Sequence, residues 1–206
     1  MVATADPTAT PVVYLLVGLT GSGKTTYAHR RLVPAGAVRL SVDELVFERN
    51  GRYGVDYPEH TYFEREAPVV AELHGRLVGL VSAGQDVVWD HGLWLRKDRD
   101  ALKQLVESSG GRWRLLYFPV ERDELLRRLE GRNQRADANA LTVTPEALDD
   151  FFARFEPPEG EGEEIVEPGS FRDLGGHQVA TSRVAGSRPR SCRPRRAADY
   201  SPVIRE

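Results

Sequence analysis

An apolar run, Val12-Val13-Tyr14-Leu15-Leu16-Val17, leads directly into Gly18-Leu19-Thr20-Gly21-Ser22-Gly23-Lys24-Thr25-Thr26, and no other feature constrains the chain as much. The run lacks polar alternation, the pattern of a strand buried on both faces. The stretch after it has the spacing Gly-x-x-x-x-Gly-Lys-Thr, a phosphate-cradling loop between a strand and a helix. Such a loop turns its backbone N–H groups inward around the phosphates of a nucleotide, and only glycine lets the chain curl tightly enough to do so. Gly21, Ser22, Gly23, Lys24, Thr25 and Thr26 are thus the expected nucleotide contacts, with Lys24 a compact charge among the phosphates. The Thr25 hydroxyl is expected on Mg²⁺, and a helix over 25–32 directs its positive end at the same anions.

The rest of the chain repeats the strand-then-helix order. A short strand over 39–42 ends at Asp43. A helical stripe of Phe63, Ala67, Val70, Leu73, Leu77 and Leu80 or Val81 follows, which Pro68 is expected to start or kink and Gly84 to stop. A third strand over 86–90 ends at Asp90, a helix spans 96–108, a fourth strand spans 112–118 and a helix spans 121–131. Thr144-Pro145 reads as an N-cap and first-turn proline, opening a helix with Leu148, Phe151, Phe152 and Phe155 on one face. Ile165-Val166 is a candidate edge strand. Strands alternating with helices through short links imply an α/β fold, a parallel sheet flanked by helices with chemistry at the strand C-terminal ends.

Composition bounds the remainder. A chain of 206 residues with 40% hydrophobic content suits one main domain, expected over 12–168 after a flexible lead-in, 1–11. From Gly169 onward eight arginines face three acids and few large apolar residues occur, so 169–206 is expected to be a disordered basic tail. The body is correspondingly acidic, which argues against a protein whose main partner is nucleic acid. The single cysteine, Cys192, excludes an internal disulfide and a cysteine-based metal site. With no signal peptide or membrane-spanning run in the sequence, the expectation is a cytoplasmic protein with no membrane association and no stable protein partner.

Phosphoryl transfer requires a carboxylate to accept the proton of the attacking hydroxyl and positive charge around the loose transition state. Asp43, at the end of the second strand, is the candidate base; its alternative reading is a helix N-cap. Asp90, after an apolar strand, occupies the place of a carboxylate that holds the Mg²⁺ shell, or else begins a turn. Arg128 and Arg132 lie four apart on one helical face and enter a candidate lid over 132–143, from which they would close on the phosphates, unless they are simply solvated. His91, alone in sequence, reads more readily as packing or solvent-facing than as chemistry.

Taken together, the loop 18–26, Ser41-Val42-Asp43, Val87-Val88-Trp89-Asp90, Arg99, Arg128 to Asn133 and Phe155-Glu156-Pro157-Pro158 resemble the small P-loop kinase-like proteins of the AAA ATP-binding type. These are similar to polynucleotide 5′-kinase domains and, more distantly, to zeta toxins and antibiotic phosphotransferases. The resemblance implies an adenylate-kinase-like P-loop fold with a lid, ATP and Mg²⁺, Asp43 as base, and Arg128 and Arg132 on the phosphates. It also implies Arg99 near the acceptor side. The acceptor is expected to be a small molecule or a nucleic-acid end. One departure bears on it: an arginine often found three residues after the base is here Val46, which cannot hold an acceptor phosphate. The other functional class left open is an ATP-hydrolysing regulatory switch. Asn-Lys-x-Asp and Leu-Ser-Gly-Gly-Gln, the marks of GTPases and of ABC-type ATPases, do not occur.

Overall fold

The computed structural model describes residues 10–132 and 143–167. Five strands form one parallel sheet in the order β2-β3-β1-β4-β5: β1 (Val12–Val17), β2 (Val38–Ser41), β3 (Val87–Asp90), β4 (Arg112–Tyr117) and β5 (Glu163–Ile165). The apolar run at 12–17 is central because both its faces are covered. Val13, Leu15 and Val17 join one core cluster and Leu16 another.

On the first face lie α2 (Val42–Asn50), α3 (Tyr62–Ser82) and α4 (Arg96–Ser108), contributing Val42, Val46, Leu73, Leu77, Leu102 and Val106 to that cluster. On the second face lies α1 (Lys24–Tyr27), which continues as a π-helical turn over Ala28–Leu32 and buries Ala28 and Leu32. Two further helices, α5 (Arg122–Arg132) and α6 (Pro145–Arg154), pack Leu125, Leu129 and Leu148 against Leu19 of the loop after β1. The fold is the α/β P-loop arrangement, and β1 and β3, adjacent in the sheet, deliver their C-terminal ends to one place.

Several local expectations shift. Helix α3 begins at Tyr62, six residues before Pro68, and runs through it. Leu73, Leu77 and Val81 of the expected stripe are buried and Val70 packs beside them, while at the N-terminal end Val69 takes the core position and Phe63 is 69% exposed. The first helix is α only over four residues and then widens into the π turn. At α6 the reading holds: the Thr144 hydroxyl accepts from Ala147 N at 3.2 Å, with Pro145 in the first turn. The lid and most of the lead-in and basic tail, at 132–143, 1–11 and 169–206, lie outside the described residues, apart from a few at their edges.

Candidate active site

The loop between β1 and α1 has the backbone a phosphate cradle needs. Gly21 (φ 82°) and Gly23 (φ 103°) both hold left-handed conformations closed to most side chains. A Cβ on Gly21 would also meet Leu129 at 3.2 Å, so α5 presses directly on the loop. Gly23 is the residue preceding α1 and no side chain caps it there, which leaves the helix start open to an anion. Lys24 Nζ folds back onto the loop and donates to the carbonyls of Gly18 (2.7 Å) and Leu19 (3.0 Å) and to Ser22 Oγ (3.4 Å). These groups fit the phosphates of a nucleotide. Ser22 is buried, while Thr25 and Thr26 open α1 with partly exposed and exposed side chains.

Arg128, on α5, reaches the same loop. Its Nη1 approaches the carbonyls of Gly21 (3.4 Å) and Ser22 (3.3 Å), and Glu124 Oε1 accepts from its Nε at 2.7 Å. Leu125 and Leu129, buried beside Leu19, hold α5 in that position. Arg132 ends α5; its side chain lies outside the described residues.

Asp90 ends β3 beside β1, 4% exposed, and its Oδ2 accepts from Arg39 Nε at 2.7 Å. Arg39 also donates to Glu44 at 2.7 Å, so a basic side chain from β2 balances the acidic strand end. Asp90 is therefore part of an ion pair and not a bare turn residue. Its carboxylate is one the sheet brings to the edge of the phosphate loop.

Asp43 is freed of the capping role that was its alternative. Ser41 is the N-cap of α2, its hydroxyl accepting from Glu44 N at 3.4 Å, and Asp43 lies in the first turn beyond it. The carboxylate sits in a cleft open to solvent but crowded by protein. Desolvation raises its pKa above 3.8, His91 and Lys24 oppose the rise, and Asp90 adds to it. Tyr62, at the start of α3, donates its Oη to Asp43 Oδ1 at 3.1 Å. The phenol's own pKa is pushed up by burial and by Asp43 and Glu66, so it stays a neutral donor.

The sequence did not flag the remaining members of this cluster. His91 Nε2 and Glu66 Oε1 are 3.1 Å apart, and one ligand atom from each of Asp43, Glu66 and His91 lies within 4.8 Å of the others. Burial pulls the His91 pKa down, but the Glu66 hydrogen bond and the Asp43 charge outweigh it and hold the ring above 6.5. His91 looks solitary in the sequence because its partner is 25 positions away on α3. The one available signal was that Tyr62 and Glu66 are four apart, hence on one helical face.

Arg99 is a correction. It does not reach an acceptor side, because its guanidinium is fully buried and engaged by protein acceptors. Glu161 takes Nε and Nη2 at 2.8 and 2.5 Å, and Nη1 donates to the carbonyls of Leu93, Trp94 and Glu156 at 2.9–3.1 Å. Lys103 adds a second cation to Glu161 at 3.3 Å. Arg99 thus clamps the loop after β3, which carries His91 and the strained Leu93 (φ 44°), to the chain leading into β5. A small cavity of about 90 Å³ lies between Leu19, Phe118, Leu125 and Phe155.

No curated protein matches the sequence significantly. Among solved structures, a candidate kinase from Chloroflexus aurantiacus superposes with a TM-score of 0.63 at 17% identity, covering 80% of this chain and 88% of that one. A gluconokinase from Sinorhizobium meliloti gives 0.55 at 19% identity (78% and 85% covered). The APS kinase of Mycobacterium tuberculosis, solved with AMPPNP and APS, gives 0.55 at 20% identity (77% and 88% covered). At these identities the likeness speaks for the fold, a P-loop kinase-like one. The profile of one family, described as an AAA domain, matches residues 13–158, taking in the phosphate loop, Asp43, Asp90 and Arg128, and to that family the chain belongs.

Proposed function

We propose that the chain is an ATP-dependent phosphotransferase that moves the γ-phosphoryl group of ATP to a hydroxyl of a small molecule or a nucleic-acid end. The observation that carries this reading is the position of Asp43. Its carboxylate is released from capping, raised in pKa, within electrostatic reach of Lys24, and open to solvent where an acceptor would enter. An ATP-hydrolysing switch would turn the same carboxylate on water, so the two readings differ in which hydroxyl Asp43 serves.

In this reading the loop N–H groups of 21–26 and Lys24 hold the phosphates, and Thr25 and Asp90 would hold Mg²⁺. That ion, when bound, neutralises charge on the β- and γ-phosphate oxygens. Binding first requires Lys24 to leave the loop carbonyls it now caps. Asp43 orients the acceptor hydroxyl and takes its proton as the oxygen attacks phosphorus. The bond to the β–γ bridging oxygen breaks, ADP leaves, and Asp43 later returns the proton to solvent. Tyr62 fixes the carboxylate through Oδ1, and Oδ2 would serve the acceptor. Arg128 and Arg132 add positive charge on the lid side.

The test is transfer from γ-labelled ATP to pooled nucleosides, 5′-hydroxyl oligonucleotides, sugars and aminoglycosides. Label in an organic product is the expected result. Label in inorganic phosphate alone would replace this reading with the ATP-hydrolysing switch.

A further inference from the structure

On the phosphotransferase reading an acceptor would approach Asp43 past α2, the chain after it and the first turns of α3, where the charges are unevenly spent. Val46, three residues after Asp43, is 2% exposed and points into the core, so α2 offers the acceptor no cation there. Arg49 of α2 is closed off by Glu72 at 2.6 Å, and Arg52 by Asp56 at 3.1 Å. Arg65 on α3 differs from both. Half-buried, it donates from Nη1 to Asn50 Oδ1 (3.0 Å) and from Nε to Thr61 Oγ1 (3.2 Å), and its guanidinium carbon lies 4.7 Å over the Tyr57 ring. Those partners orient the guanidinium, and among the described residues no carboxylate pairs with it. Asn50 itself donates to Val46 O, so Arg65 reaches α2 one turn beyond the position where α2 lacks a cation.

We propose that Arg65 is a specificity-determining residue that holds an oxyanion on the acceptor, so that the acceptor is a hydroxyl compound bearing a carboxylate or a phosphate. The proposal rests on the phosphotransferase reading and names its substrate class. Tyr62 ties the two ends of the site together. Its hydroxyl is on Asp43, and Arg65 and Glu66 follow it by three and four residues, about 4.5 and 6 Å along the helix. Glu66 faces His91, while Arg65 faces Asn50 and Tyr57, so the carboxylate cluster receives the hydroxyl and Arg65 the anion. The Tyr57 phenol feels both. Burial raises its pKa, Arg65 lowers it, and Asp43 and Glu66 raise it, so all three charges lie within electrostatic range of the one phenol. A planar guanidinium with donors to spare suits a bidentate oxyanion.

The test uses the full chain and two pairs of probes that differ in one anion: D-gluconate with D-glucose, and thymidine 3′-phosphate with thymidine. Calorimetry in the presence of AMPPNP gives binding, and γ-labelled ATP gives transfer. At least one anionic probe is expected to bind ten or more times tighter than its neutral twin. Arg65→Met should erase that preference, raising KM for the anion at least tenfold with a smaller change in kcat, and Arg65→Lys should recover part of it. Preference for gluconate assigns a carboxylate, and preference for the 3′-phosphate assigns a phosphate. The proposal is overturned if neither anion binds, if neutral twins bind as well, or if the preference survives Arg65→Met in a variant that melts like the wild type. An Arg65-dependent preference without any transfer would keep this assignment and remove the transferase reading. Equal transfer to the neutral twins would do the reverse.

Discussion

Replacing Glu161 by Gln should show how much the site depends on an ion pair that does not touch it. The Glu161 side chain is 1% exposed and faces a wholly buried Arg99 at 2.5 Å, with Lys103 at 3.3 Å, so the change leaves a buried guanidinium without its counter-charge. Breaking a buried pair from one side costs about 3–5 kcal/mol. For a chain of this size each kcal/mol shifts the midpoint by about 2–4 °C, so Tm should fall by roughly 6–20 °C. Glu72→Gln is the control. It breaks the Arg49 pair, in which both side chains are more than 40% exposed, and should cost no more than about 1 kcal/mol. The pH dependence carries a definite sign. Arg99 holds the Glu161 carboxyl below its ordinary 4.5, so the stabilisation is complete above that value and fades as pH falls through the lower, folded one. Scanning calorimetry of the wild type and both variants at pH 7 and on acidification reads all of this. A Tm loss at Glu161 no larger than at Glu72, or a gap that widens on acidification, would refute the clamp.

Two further outcomes follow from the site. Lys24→Ala should leave Tm nearly unchanged, because the lysine bonds loop carbonyls and not the core. Calorimetric ATP·Mg²⁺ affinity should fall at least tenfold, and an undiminished affinity would contradict the phosphate-cradle assignment. His91→Asn should cost stability most below pH 6.5, where the raised folded pKa favours the protonated ring on Glu66. The difference should shrink as pH rises through that folded value, and a pH-independent difference in Tm would speak against the His91–Glu66 pair.

What could be read from the chain, and what could not, follows from the range of each interaction. The strand at 12–17, the glycine loop and α4 are local patterns: a continuous apolar run, fixed spacing, and a helical stripe between clear ends. The same holds for Thr144 and Pro145 at the start of α6. Asp90 could be placed at a strand end, and Asp43 just past one in the first turn of α2, because the strands before them were legible. Whether Asp43 caps its helix was undecidable from propensity, since Ser41 two residues earlier competes for the same role and tertiary geometry chose between them. Arg99 and His91 failed for a different reason. Their partners, Glu161 and Glu66, are 62 and 25 positions away, and no periodicity links such pairs. Arg65 gave no signal, because an arginine in an arginine-rich chain is marked only by which neighbours lack a carboxylate.

The central claim, that Asp43 accepts the acceptor's proton, is tested by Asp43→Asn with binding and transfer measured separately. Asparagine keeps the size of the side chain and can still accept from Tyr62, so ATP·Mg²⁺ should bind within a few-fold of wild type by calorimetry. It cannot take a proton, so transfer from γ-labelled ATP to an accepted hydroxyl should fall by roughly 10²- to 10⁴-fold. In the wild type the same rate should fall on acidification with an apparent pKa above 3.8, the direction in which desolvation moves this carboxyl, and that acidic limb should vanish in the variant. Transfer by Asp43→Asn near the wild-type rate, with the acidic limb intact, would contradict the account and remove Asp43 from the chemistry.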